Sequence, residues 1–261
     1  MKLKPVIILF LVVIVIINII LNYEYISNVA SHNLSMAVPK EGFFNKHRNK
    51  HEINNELSLC SNKIGKFYVF NSDKFIGRVL SLGNVWEEFM HKYFKKYSDM
   101  NKIALDVGAN IGTHSIVLSK YYKKVFAFEP LFYELLEKNL ELNNINNVYV
   151  SPIGLSDKKS KSFIKRVNSN PGASYIDSEK GSESVDLNSL DNLSFENHIC
   201  FMKIDVEGHE FELINGAKET ILKNKPVIII EIKNKKAYYL LESLGYSIKK
   251  ICGEDYLCVP K

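Results

Sequence analysis

Apolar and polar positions follow two rhythms along this chain. From Lys102 onward, short apolar runs bounded by turn residues alternate with stretches whose apolar residues recur every three or four positions. The runs Ile103–Asp106, Lys124–Glu129, Val148–Pro152, Ile199–Asp205 and Pro226–Ile232 predict strands. Thr113–Tyr122, Phe132–Leu142, Phe211–Leu222 and Lys236–Leu244 predict helices. Two strands, Tyr246–Ile251 and Tyr256–Val259, close the chain after Gly245. The run Pro226–Ile232 (PVIIIEI) is almost wholly apolar, which predicts a central strand covered on both faces. Such alternation predicts an α/β fold, a mostly parallel Rossmann-like sheet with its ligand at the carboxyl ends of the strands.

Upstream, Lys63–Phe75 alternates enough for one or two strands. Asn84–Tyr97 carries Trp86, Phe89, Met90, Tyr93, Phe94 and Tyr97 at helical spacing, a stripe that reads as core packing. The front of the chain has a different pattern. Lys2 and Lys4 precede an apolar run from Val6 to Leu21 broken only by Asn18, and Tyr23 and Tyr25 follow it. About 17 residues at ~1.5 Å rise span roughly 26 Å, close to a thin bilayer core. The expectation is an uncleaved signal anchor, a single transmembrane helix over residues 1–22. The alternative is a cleaved signal peptide, whose best site, Val29-Ala30-Ser31, sits well past the run. Lysines precede the run, and neither lysine nor arginine occurs between Leu21 and Val38. The N-terminus is therefore expected in the cytosol and the rest of the chain across the membrane. The acceptor patterns Asn33-Leu34-Ser35 and Asn192-Leu193-Ser194 fit a lumenal face. Residues 23–58 read as a polar stem and 59–261 as the folded domain.

Composition narrows the function. Of 261 residues, 46% are hydrophobic, enough for a sizeable core. The net charge of +5 comes from lysines interleaved with acids, a solvated surface and not a nucleic-acid footprint. Cys60, Cys200, Cys252 and Cys258 show no C-x-x-C spacing, which argues against a zinc site. Cys252 and Cys258 either pair across the terminal hairpin or remain reduced.

The chemistry centres on Asp106-Val-Gly-Ala-Asn-Ile-Gly112. A dinucleotide turn wants G-x-G-x-x-G, whose second glycine lets the backbone approach a pyrophosphate. Here a side chain at Asn110 crowds that approach, and Asp106 puts a carboxylate where a diphosphate would be repelled. An NAD-dependent oxidoreductase therefore fares poorly. S-adenosylmethionine, with an ammonium and a sulfonium and no phosphate, suits the acid. Glu129 ends the second strand, where an acid can accept both ribose hydroxyls. Gly154-Leu-Ser-Asp157 follows the third strand, where adenine would lie. Lys203-Ile-Asp-Val-Glu-Gly-His-Glu210 follows the fourth and brings Asp205, Glu207, His209 and Glu210 into one loop.

These words in this order, from WEEF through LDVGANIGTHS, VFAFEP, LLEKNLELNN, GLSD, FMKIDVEGHEFELINGA and PVIIIEI, resemble FkbM-type S-adenosylmethionine-dependent methyltransferases over about residues 83–232. The resemblance implies a seven-stranded methyltransferase sheet and O-methylation of a hydroxyl on a glycan or small metabolite. It places Asp106, Gly108, Asn110 and Gly112 in the cofactor turn, Glu129 on the ribose and Asp157 near the adenine. Asp205 and Glu207 would border the acceptor. Proton removal falls to Glu207 or His209, with Asp205 orienting, and Glu87 and His91 are weaker candidates. Asp205 and Glu207 could alternatively hold Mg²⁺, although no metal is expected. The polar segment 158–184, with a turn at Asn170-Pro171-Gly172, matches no pattern and is expected to cap the acceptor pocket. The rival reading is a non-catalytic, membrane-tethered scaffold or glycan-binding module that retains the fold.

Overall fold

The computed structural model describes residues 56–167, 170–177 and 183–261. The apolar run Val6–Leu21, the sequon at Asn33 and nearly all of the stem lie outside the described residues. Among the described residues no helix is long and apolar enough to cross a membrane.

The described chain opens with a hairpin of β1 (Leu57–Ser61) and β2 (Lys66–Phe70). Next come α1 (Ile76–Ser81), a single 3-10 turn at Glu88–Met90 and α2 (His91–Lys96). Four β/α units and one further strand, β5, follow the predicted order. They comprise β3 (Asp99–Val107), α3 (Thr113–Leu118), β4 (Tyr122–Phe128), α4 (Tyr133–Leu142) and β5 (Val148–Ser151). After an intervening small sheet come β10 (Ile199–Ile204), α5 (Glu210–Asn215), α6 (Lys218–Asn224), β11 (Val227–Glu231) and α7 (Lys235–Ser243). The antiparallel pair β12 (Tyr246–Cys252) and β13 (Asp255–Pro260) ends the chain.

Seven strands form the main sheet in the order β12-β13-β11-β10-β3-β4-β5, parallel from β11 to β5. The apolar strand β11 lies inside, between β10 and β13, with Ile228, Ile229 and Ile230 buried. One face packs on Leu213, Ile214, Ile221, Ala237 and Leu241, and the other on Leu80, Phe94, Ile116, Leu136 and Leu140. Each such Leu, Ile or Phe side chain contributes about 1.5–3 kcal/mol when fully buried. Two covered faces explain why these strands read as apolar runs and not as alternation.

Between β3 and β10 the strand order reverses. The chain winds outward through β4 and β5 on one side, and through β10 and β11 on the other. A crevice opens at such a point beyond the carboxyl ends of the strands.

The segment between β5 and β10 is a second sheet. It comprises β6 (Gly154–Leu155), β7 (Ser160–Lys165), β8 (Tyr175–Asp177) and β9 (Glu183–Asn188), in the order β6-β9-β7-β8. Its inward residues are Ile164, Val185 and Leu187. The Asn170-Pro171-Gly172 turn is there, as a 3-10 turn at Pro171–Ala173. Cys252 faces Asp255 across the terminal hairpin and Cys258 faces Ile248, so the two thiols do not oppose each other and both are free.

Candidate active site

The turn after β3 runs through three residues in the left-handed region: Gly108 (φ +74°), Asn110 (φ +50°) and Gly112 (φ +92°). Glycine is required at the first because a Cβ would lie 1.7 Å from the Asp205 carbonyl oxygen, and at the third because it would lie 2.3 Å from Leu136 Cδ1. Asparagine tolerates this backbone better than most residues, which accounts for Asn110. Its N–H donates to Glu129 Oε2 at 2.8 Å. That amide is therefore committed within the protein and not free for a phosphate.

Glu129, 6% exposed, also accepts from the N–H groups of Leu131 (2.8 Å) and Phe132 (3.0 Å) through Oε1. Burial pushes its carboxyl above the ordinary range, while these N–H groups and Lys203 pull it back. The acid that the sequence placed on a ribose thus also ties the β3 turn to the β4 turn.

Asp106 is 0% exposed and lies beneath the turn. Its Oδ2 accepts from Ser115 Oγ at 2.5 Å, and its Oδ1 has no hydrogen-bond partner. Lys203, in register with Asp106 on the adjacent strand, explains how a carboxylate survives there. Its side chain is 3% exposed, and Nζ lies 3.9 Å from Asp106 Oδ1, 3.3 Å from Asp205 Oδ2 and 3.2 Å from the Gly108 carbonyl oxygen. Burial pulls the lysine down, but Asp205 and Asp106 more than offset this and hold it charged above the usual range. The motif Lys203–Glu210 contains Lys203, but sequence reasoning gave it no role. The available signal was a lysine inside the buried strand FMKI, which requires a buried counter-charge.

The loop after β10 carries the acids. Asp205, Glu207 and Glu231, the last at the end of β11, bring carboxylate oxygens within 4.8 Å of one another. Lys233 pairs with Glu207 and lies 3.2 Å from Glu231 Oε2. Burial, then Asp205, raises Glu231 to about 8, while Asp205 is held low by Lys203 against its own burial. Glu231 and Lys233 were also missed, because they sit at and just past the end of β11 and meet the loop only through the pairing of β11 with β10. Glu207 adopts φ +52° beside Gly208 at +96°. Glu210 turns its carboxylate back onto the Gly208 N–H at 2.6 Å. His209 Nε2 lies 2.9 Å from Ser156 Oγ, pinning this loop to the GLSD segment. Asp157 is exposed.

One cavity joins these parts. Gly108, Asn110, Glu129, Asp205 and Glu207 line it, with Phe132, Ile153, Leu155, Ile164 and Ile176 as apolar wall and Pro171, Gly172 and Ser174 as cover. Asp106, Asp157 and His209 are not among its lining residues. The segment expected to cap an acceptor pocket therefore covers the cavity at the glycine turn. The lining residues include three carboxylates and neither lysine nor arginine. Such a site suits a cationic ligand with an apolar ring and repels a diphosphate.

The methyltransferase FkbM domain family matches residues 106–252. Methyltransferase 1 of Beauveria bassiana is 24% identical over 202 residues, covering 62% of this chain and 81% of its own length. The hexuronic acid methyltransferase AglP of Haloferax volcanii is 26% identical over 166 residues, 59% of this chain and 68% of AglP. The crystal structure of a methyltransferase FkbM from Methylobacillus flagellatus aligns with a TM-score of 0.45 at 16% identity. That alignment covers 65% of this chain and 50% of the other, so this chain spans half the length of that structure.

Proposed function

The chain belongs to the methyltransferase FkbM domain family, matched from Asp106 to Cys252, and from that premise we propose that it is a membrane-anchored, S-adenosylmethionine-dependent O-methyltransferase. Its acceptor is a hydroxyl of a glycan or a small metabolite. The observation that carries this reading is the lining of the cavity at the strand-order reversal, with acids at Glu129, Asp205 and Glu207, an apolar wall and no basic side chain. The hexuronic acid methyltransferase among the relatives supports a sugar as acceptor. The apolar run Val6–Leu21 supports the anchor.

The residues present fit the cofactor. Gly108 lines the cavity and lets the turn pack against the Asp205 carbonyl, where a Cβ would lie 1.7 Å away. Glu129 has about one carboxylate lone pair left for a hydroxyl donor after three backbone N–H bonds. Phe132, Ile153 and Leu155 offer an apolar slot for a purine. S-adenosylmethionine, when bound, supplies a methyl group on a positively charged sulfur. Asp205 and Glu207 put negative charge at the acceptor end of the same cavity. Lys203 bridges Asp205 to the Gly108 carbonyl oxygen and so ties the loop after β10 to the turn. The protein's share of catalysis is then alignment of a hydroxyl and acceptance of its proton.

The test is incubation with methyl-labelled S-adenosylmethionine and a panel of neutral methyl glycosides, uronic acid glycosides and hydroxylated metabolites. Mass spectrometry then locates the label. Label on a hydroxyl oxygen is the expected result. Cofactor binding with no transfer to any hydroxyl would favour the scaffold reading, and label on nitrogen or carbon would refute O-methylation.

A further inference from the structure

The cavity at the glycine turn is closed more tightly than its cofactor allows. Its volume is about 80 Å³. Cavities that hold small-molecule ligands measure about 300–1,000 Å³. Part of the wall must therefore move before S-adenosylmethionine enters. The floor is a poor candidate. Gly108 packs on the Asp205 carbonyl oxygen, and Glu129 accepts from three backbone N–H groups of the two turns.

The cover, Asn170–Ser174, is held differently. Asn170 N–H donates to the Val167 carbonyl, Ala173 N–H to that of Asn170 and Ser174 N–H to that of Pro171. Ser174 Oγ donates to the Pro171 carbonyl at 2.8 Å and accepts from the Val167 N–H at 3.3 Å. Each of these bonds closes within Val167–Ser174, so the turn is braced onto itself and not onto the floor. Contact seats it. A Cβ on Gly172 would lie 3.1 Å from Asn110 Nδ2 and 3.3 Å from Ile76 Cδ1, so this glycine lets the turn rest directly on the cofactor turn and on α1. A segment that keeps its own hydrogen bonds can lift at low cost. The β7–β8 pairing ends at Lys165 and Tyr175, which gives the turn two hinge points.

The turn also has somewhere to go. A second cavity of about 490 Å³ shares Phe132, Pro171 and Ser174 with the first, and Phe70, Asn71 and Ser72 line it further out. Phe132 and the turn thus separate two spaces that together fall within the size range a cofactor needs. Phe132 is pinned, edge-on to Phe70 at 5.5 Å and beneath the Arg166 guanidinium at 5.7 Å. The movable part of the partition is the turn.

We propose that Asn170–Ser174 is the gate of the cofactor site. It lifts off Asn110 and Ile76 toward the second cavity, which is the entry route, and settles on the bound cofactor. This rests on the methyltransferase reading above. The seated turn competes with the cofactor, so the free protein is ready to bind only in the fraction of molecules whose gate is open.

The test uses full-length protein and S-adenosylhomocysteine. In an Ile76→Cys/Gly172→Cys variant, a short bis-methanethiosulfonate bridges the two thiols and holds the gate shut. The bridged protein is expected to bind no S-adenosylhomocysteine, and cleavage of the bridge by a reducing agent should restore binding. Protein loaded beforehand should resist bridging. Either single-cysteine variant treated with the same reagent should bind as before. Gly172→Ala is the independent measurement, because its methyl group presses on Asn110 and Ile76 and unseats the turn. It should make S-adenosylhomocysteine bind about fivefold faster and about fivefold tighter, the equivalent of about 1 kcal/mol for an added methyl against packed atoms. In a fixed cavity the same methyl group would weaken binding or leave it unchanged. Unchanged or weaker binding by Gly172→Ala, or normal binding by the bridged protein, overturns the gate while the methyltransferase reading stands. A wild type that binds no S-adenosylhomocysteine in calorimetry overturns the cofactor reading and withdraws the gate with it.

Discussion

Replacing Lys203 with methionine should be among the most damaging single changes to the domain. The substitution keeps an unbranched chain of similar length and deletes the charge. Asp106, with no exposed surface, would keep only its contact with Ser115, and Asp205 would lose its counter-charge beside Glu231. Breaking a buried ion pair by removing one partner costs about 3–5 kcal/mol, because the orphaned carboxylate stays buried. For a domain of this size each kcal/mol lowers Tm by about 2–4 °C, so the expected loss is roughly 6–20 °C. Lys203 is held charged above the usual lysine range, so its contribution persists below that range and is lost only as pH rises through it. Lys203 itself does not titrate between pH 6 and pH 9, so the loss should be present at both and larger at pH 9, where Glu231 ionises beside the orphaned Asp205. Circular dichroism melts of the domain would measure it. Adding Asp106→Asn to Lys203→Met removes one orphaned charge and should recover part of the stability, a coupling of about 0.5–3 kcal/mol. A Lys203→Met melt within about 2 °C of wild type would refute the reasoning, as would two losses that simply add.

Glu129→Gln should weaken S-adenosylhomocysteine binding about 10–150-fold, the equivalent of about 1.5–3 kcal/mol for charge-assisted contacts, and calorimetry reads it directly. Glu231→Gln should have little effect on Tm near pH 5, should raise it progressively toward pH 8, and should give no further gain above that. The folded-state value of Glu231 is raised to about 8, so its stability contribution is present below the ordinary carboxylate range and is lost as pH rises toward that value; glutamine cannot ionise and avoids that loss, which paired melts from pH 5 to 9 would show. Full-length protein should stay in the membrane fraction after carbonate washing, whereas a chain starting near Leu57 should be soluble; release of the full-length protein by carbonate would remove the anchor proposal.

Much of the fold was legible because strands covered on both faces have no choice but to be apolar. FMKI and VIIIE declare themselves by composition, and helix periodicity marked Tyr133–Leu142 within one residue. The small sheet was not legible. Its strand SKSFIK buries only Ser162 and Ile164, so its period-2 signal is nearly lost among polar residues. Helix ends were over-extended at Thr113–Tyr122, where the chain leaves the helix after Leu118 to start β4. In the site, the turn and its acids could be named because glycine spacing encodes backbone shape. Lys203, Lys233 and Glu231 could not, because their meaning depends on which strands become neighbours. Glu87 was named only as a weaker candidate, and its pairing with His114, 27 residues on, was not legible for the same reason.

The most direct test of the central claim is a crystal structure of the domain with S-adenosylhomocysteine. The expected density lies along the cavity, with the ribose at Glu129, the purine against Phe132, Ile153 and Leu155, and the sulfur toward Asp205 and Glu207. A ligand bound elsewhere, or a cavity with no ligand density at saturating concentration, would contradict the account.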